Sequence, residues 1–153
     1  MYRNLMPRRA ALVAVATALL AAACGGGDTW DEFRPRAATV SDIASRSFRF
    51  TDFSYGAVFD ASLANTTTTL AFGSASAAGS GHVLPFSLAA GGASVAGAAT
   101  LEADRLTLAV AQAAPGLPFT SGQQLVFKLE ADVDDGRIRL TNRSSGVQAA
   151  SAP

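Results

Sequence analysis

From Ser47 onward, apolar and polar residues alternate with a period of two, the pattern of strands with one face buried and the other in water. The sharpest stretch surrounds Asp135-Gly136, a pair suited to a type I′ hairpin because both central positions need positive φ. With those two residues as the loop, Val133 faces Ile138 and Ala131 faces Leu140, while Asp134 meets Arg137 and Asp132 meets Arg139. Apolar side chains then pair with apolar ones and opposite charges meet across the strands, each pair contributing about 0.2–1 kcal/mol. A slip of one residue would send every one of these side chains to the wrong face.

The same test sets further hairpins. With Gly91-Gly92 as a loop, Leu88 faces Val95 and Phe86 faces Gly97; around Ala103-Asp104, Leu101 faces Leu106, Ala99 faces Leu108 and Glu102 meets Arg105. Around Ala64-Asn65, Phe59 would face Leu70 and Ala57 would face Phe72, and Ser47 to Phe53 supplies a first strand. The expected fold is all-β: a sequential antiparallel sheet of about eight strands, closed into a small barrel or folded over as a sandwich so that one face is buried and the edges are hidden. Gly73 to His82 and Ala113 to Gly122 are the expected mobile loops. Thr39-Val-Ser-Asp42 opens a brief helical turn as a capping box.

The chain starts differently. Arg3, Arg8 and Arg9 precede the apolar run Ala10 to Ala23, interrupted only by Thr17, and Cys24 follows as the single cysteine. A basic start, an apolar stretch and small residues before a cut form an export signal. As a helix the run spans roughly 21 Å at about 1.5 Å per residue, short of the ~30 Å hydrocarbon layer that a permanent span must cross. Ala21-Ala22-Ala23-Cys24, followed by Gly25-Gly26-Gly27, resembles the lipobox of bacterial lipoprotein precursors, with Ala21 where leucine is usual. The resemblance covers only about the first 27 residues. It implies that the Cys24 thiol receives a diacylglycerol, that the leader is cut before it, and that the new amino terminus is acylated. It also implies the outer membrane as destination, since Gly25 is not the aspartate associated with inner-membrane retention. Several acyl chains are needed because one binds only marginally, at about 0.8 kcal/mol per buried methylene.

The expected organisation is a lipoprotein signal peptide over 1–23, a lipidated cysteine and flexible tether over 24–38, one β domain over 39–146 and a frayed tail over 147–153. Trp30 and Phe33 are the only large apolar groups of the tether; they would touch the membrane interface or cap the domain, and docking on the domain is the more usual fate of such residues. About 110 residues beyond the tether suffice for one core.

Removing the leader takes three of the 12 basic residues and leaves all 12 acidic ones, so the mature chain is mildly acidic. No basic patch is left for phosphate backbones, which argues against nucleic acid as a partner. A lone cysteine forbids a disulfide within the chain.

Candidate chemistry is sparse, and no catalytic site or cofactor is expected. One histidine, His82, and one cysteine cannot assemble a zinc site. Ser80 and His82 lie close in sequence, but no G-x-S-x-G elbow accompanies them. Asp132, Asp134 and Asp135 before Gly136 fail the spacing of a calcium loop and are read as a hairpin turn. Thr66 to Thr69 is accounted for by strand propensity.

One surface stands out. The outward positions Ser87, Ala89, Ser94, Ala96, Ala98, Thr107 and Ala109 carry no charge. Contiguous, weakly apolar surface of this kind marks a contact: either the second layer of a sandwich or an envelope protein partner. Two functional classes follow. In one, a non-enzymatic envelope protein is held to the membrane by Cys24 and meets a partner through the uncharged face. In the other, a lipocalin-like barrel carries an apolar small molecule in an interior lined by Phe48, Phe50, Phe59, Phe72, Phe86 and Phe127 beside Ala57, Ala61, Gly97 and Ala99.

Overall fold

The computed structural model describes residues 33–51 and 55–152. The leader, Cys24, Trp30 and the first part of the tether lie outside the described residues. Ten strands run in chain order: β1 Pro35–Ala37, β2 Ser47–Phe50, β3 Thr68–Phe72, β4 Ser76–Ala78, β5 Gly81–Ala90, β6 Ala93–Glu102, β7 Arg105–Val110, β8 Gln124–Asp132, β9 Ile138–Asn142 and β10 Gln148–Ala150. All pairings are antiparallel, and they make one sheet in the order β10-β9-β8-β7-β6-β5-β3-β2, with β1 added to β8 and β4 added to β5. The sheet curls until its two ends nearly meet, and the Ala152 amide donates to Arg49 O at 2.7 Å across the gap. The fold is a nearly closed barrel, and the sandwich alternative falls away.

The barrel follows from the period-two pattern. Leu84, Phe86, Leu88, Val95, Ala99, Leu101, Leu106, Leu108, Phe127, Leu129 and Leu140 are buried on its inner face. The β5–β6 and β6–β7 hairpins have the register the sequence predicts, with Leu88 opposite Val95, Phe86 opposite Gly97 and Leu101 opposite Leu106.

The β8–β9 hairpin is longer than expected. Ala131, not Val133, faces Ile138, and Leu129 faces Leu140. The Asp132 amide donates to Arg137 O, which leaves the four residues 133–136 as the loop. Side-chain capping explains the shift by two: Asp132 Oδ1 accepts from the Asp134 amide at 3.0 Å and Asp135 Oδ1 from the Arg137 amide at 2.9 Å. An even shift keeps every inner residue inside. Its cost falls on Val133, which is 56% exposed. The expected charge partners move as well, so that Arg137 meets Asp132 and Asp135 while Arg139 meets Glu130.

The hairpin expected around Ala64-Asn65 does not form. Tyr55–Val58 and Ala61–Leu63 are 3-10 turns, and β3 pairs instead with β2, setting Phe48 opposite Leu70. Asp60 caps the second turn by accepting from the Ser62 amide at 2.8 Å and from its hydroxyl at 2.7 Å. Gly56 permits the tight crossing, since a Cβ there would lie 2.5 Å from Thr68 Oγ1 and 2.7 Å from Leu63 Cβ. This segment enters the barrel. The Phe59 ring packs edge-on against Phe50, at 5.4 Å between centroids, and against Phe127, at 5.6 Å.

Both ends of the expected domain gain structure. Residues 35–37, expected as tether, form β1, whose Arg36 sits opposite Ala131. The tail expected to fray forms β10 on β9, and Ser151 beyond it is buried. Asn142 makes that return possible: its Oδ1 accepts from the Ser144 amide at 2.8 Å and from the Ser145 amide at 3.1 Å, and its Nδ2 donates to Val58 O at 2.8 Å. The expected helical turn is present as α1, Val40–Ile43, where the Thr39 amide donates to Asp42 Oδ2 at 2.7 Å. Of the two expected loops, the first contains β4 and the second packs Phe119 into the core.

Candidate functional site

The uncharged positions come together as a patch because the registers align them. Ser87 lies opposite Ala96, Ala89 opposite Ser94, Ala98 opposite both Pro85 and Ala109, and Thr107 opposite Thr100. Ser87, Ser94, Ala96 and Ala98 are exposed, while Ala89, Thr107 and Ala109 are half-buried. The patch extends onto β3 through Thr69 and Ala71 and onto β8 through Gln124 and Val126. At about 4.8 Å per strand, five neighbouring strands give a width of about 19 Å from β3 to β8. No described residue forms a second layer over it, because the sheet closes on itself and does not fold over. Charged residues mark the border: Arg49 opposite Thr69 on one side, and the Glu102, Arg105 and Lys128 group on another.

The acidic residues of the β8–β9 turn are spoken for. Asp132 is buried and accepts from the Arg34 amide at 3.3 Å and from Arg137 Nη2 at 3.1 Å. Its carboxyl is held below the usual range, first by the Asp134 amide and then by Arg34 and Arg137, against the opposing effect of burial. Asp134 pairs with Arg34, and Asp135 with Arg137 at 2.5 Å. Beside them Glu130 receives Lys128 at 2.8 Å and Arg139 at 2.7 Å. Phe33 lies beneath the guanidinium groups of Arg139 and Arg137, 4.8 and 5.9 Å from its ring centroid, which is the docking expected of it. Arg36 holds the buried Asp42 in the same way, at 2.5 and 2.8 Å, and keeps that carboxyl well below the ordinary range. These groups lock β1, α1 and the β8–β9 turn together. Among the described residues no group of three or more His, Cys, Asp or Glu is arranged to hold a metal.

Ser80 and His82 line a surface hollow of about 250 Å³ with Thr39, Val40 and Leu101. No hydrogen bond joins the two among the described residues. The hydroxyl of Thr68 is used within the fold, donating to Thr66 O at 3.1 Å. Of the residues expected to line a ligand space, the six phenylalanines are buried, but Ala61 is exposed and Ala57 only half-buried.

Sequence reasoning missed Arg46 and Arg49. Both line a hollow of about 150 Å³ beside the barrel seam, together with residues of the β8–β9 turn. Nothing in the local sequence shows that positions 46–49 and 135–137 meet, since the contact depends on closure of the barrel.

No family model matches the chain, and no curated protein or solved structure matches it.

Proposed function

We propose that this is a lipid-anchored protein of the cell envelope, held in the outer membrane by acyl chains on Cys24, whose barrel is a non-enzymatic module that meets an envelope protein through its uncharged face. The observation that carries the anchor is the leader itself: three arginines, an apolar run too short to span, and three alanines directly before the single cysteine. The contact reading is supported by the patch on β3 and β5 to β8, which is free of charge, open to solvent and bordered by charged residues.

The carrier reading is weaker. An apolar guest would need the middle of the barrel, and there the Phe50, Phe59 and Phe127 rings already touch across it. A small barrel is ordinarily filled by its own side chains.

Two experiments test the proposal. Replacing Cys24 with Ser should abolish labelling by radioactive palmitate and leave the leader uncut, whereas equal labelling of the variant would end the anchor reading. A photocrosslinking residue at Ala98 should capture one discrete envelope protein in cells, and the same probe at Lys128 should capture much less. Equal, diffuse crosslinking at both positions would remove the contact face.

A further inference from the structure

The charged groups around the β8–β9 turn are paired with opposite charges: Arg34 with Asp134, Arg36 with Asp42, and Arg139 with Glu130. Arg46 and Arg49 differ. Arg46 Nη1 donates to a backbone carbonyl, Asp42 O, at 3.1 Å, and its guanidinium lies 5.4 Å from the Phe48 ring centroid. Those contacts fix its position and bring no negative charge to it. Arg49 has no side-chain partner among the described residues.

Both border the seam hollow, opposite Asp135, Gly136 and Arg137. Arg137 is committed to Asp132 and Asp135. Arg46, Arg49 and Arg137 line the hollow with one carboxylate, Asp135, and the buried Asp132 beyond the lining answers Arg137 as well, so the group retains one net positive charge and the arginines without a carboxylate partner are Arg46 and Arg49. Gly136 adds a steric reason. A Cβ at that position would stand 3.0 Å from Arg46 Nη2, so the bare turn lets the guanidinium lie against it with its remaining donors open.

We propose that this hollow binds a phosphate group, as a free phosphate ester or as the head group of an anionic lipid. Guanidinium forks bind oxyanions by paired N–H donors. A carboxylate directs its acceptor sites into one plane and carries a single negative charge, whereas a phosphate presents three or four oxygens in a tetrahedral array and up to two negative charges, which suits two guanidinium groups approaching from different strand positions. A volume of about 150 Å³ is that of a cavity able to hold a benzene-sized molecule, enough for the phosphate but not for a whole nucleotide or lipid, whose remainder would extend outside. The site does not depend on the anchor or on the uncharged face.

The test uses the full chain in a non-ionic detergent at constant ionic strength, titrated with inorganic phosphate and separately with dihexanoylphosphatidylglycerol. Thermal unfolding reports binding, because a ligand specific for the folded state raises the midpoint. We expect a saturable rise with at least one probe, and at least a tenfold weaker apparent affinity in the double variant Arg46→Gln, Arg49→Gln. The control double variant Arg105→Gln, Arg143→Gln, which removes two positive charges from exposed positions elsewhere, should keep the wild-type response. Saturation by inorganic phosphate at an affinity equal to or tighter than the lipid's identifies a free phosphate compound as the source, and a response confined to the lipid, or at least tenfold tighter with it, identifies the head group. If the double variant fails to fold, Arg49→Gln alone serves, since that side chain is exposed and makes no hydrogen bond or ion pair among the described residues. No saturable rise with either probe, or an equal rise in the arginine variants, overturns the proposal.

Discussion

Gly97 is the position where the barrel leaves no room. It lies on the inner face of β6, opposite Phe86 on one side and Val110 on the other. A methyl group there would overlap the Ala109 carbonyl oxygen outright and come 2.9 Å from Phe86 Cε1, where ordinary contact begins at 3.4 Å. A phenyl ring can turn aside, but a backbone carbonyl can move only by spreading β6 from β7. Overpacking of this kind costs about 1–3 kcal/mol and sometimes more. Replacing glycine with alanine returns about 0.4–1 kcal/mol by restricting the unfolded chain. Because the main obstruction is backbone, the upper part of the first range applies, and Gly97→Ala should lose about 2 kcal/mol net. For a domain of this size that lowers the thermal midpoint by roughly 8 °C, read by circular dichroism on the full chain in detergent. Adding Phe86→Leu should not restore the loss, since it clears only the lesser clash, and Ala98→Ser, one residue along and facing water, should change stability by less than about 0.5 kcal/mol. A Gly97→Ala midpoint within 2 °C of the wild type, on the order of the error of such a comparison, would refute the strand spacing on which the barrel rests.

Three further predictions address register, face and charge. Val133→Ser should alter stability by less than about 0.5 kcal/mol, because the four-residue loop leaves Val133 in water; a loss near 2 kcal/mol in urea unfolding would restore the two-residue turn, in which it is buried. Leu129→Asp should cost several kcal/mol by placing a charge on the buried inner face, while Lys128→Asp, exposed and bridged to Glu130, should cost about 1 kcal/mol or less; similar thermal midpoints for the two would reject the assigned faces. Acid should weaken the fold through Asp42, Glu130 and Asp132. The Asp42 carboxyl is lowered first by Arg36; that of Glu130 is lowered by Lys128 and Arg139, which outweigh its burial; and that of Asp132 is lowered first by the Asp134 amide. Since the folded values lie below unfolded ones near pH 4, their contribution is complete above that pH and is lost as the pH falls through the folded values. Urea midpoints should therefore be level from about pH 7 to 5 and drop below about pH 4, whereas equal midpoints at pH 7 and 3 would show that these pairs do not stabilise the fold.

The inner face of the barrel was legible wherever a strand is long and its turn is tight. β5, β6 and β7 are joined by two-residue turns, so parity and register could be read together. At β8–β9 parity alone was readable, because aspartate side chains capping backbone amides lengthen the loop without changing which residues face inward. The segment 55–63 misled because its apolar residues suit a strand, yet Gly56 and the Asp60 cap fold it into turns that carry Phe59 into the centre. β1, β4 and β10 are three residues each, too short for alternation to register, and they exist because longer neighbours offer an open edge. The uncharged face was readable as a list of outward positions, and its continuity needed only the registers. The arginine-lined hollow was not readable, since its two sides lie some ninety residues apart and meet only where the barrel closes.

The anchor is tested most directly by the mass of the amino-terminal peptide of the protein purified from membranes. The expected peptide begins at Cys24 and carries a diacylglyceryl thioether and an acylated amino group. An amino terminus at any other residue, or an unmodified thiol at Cys24, would contradict the anchor.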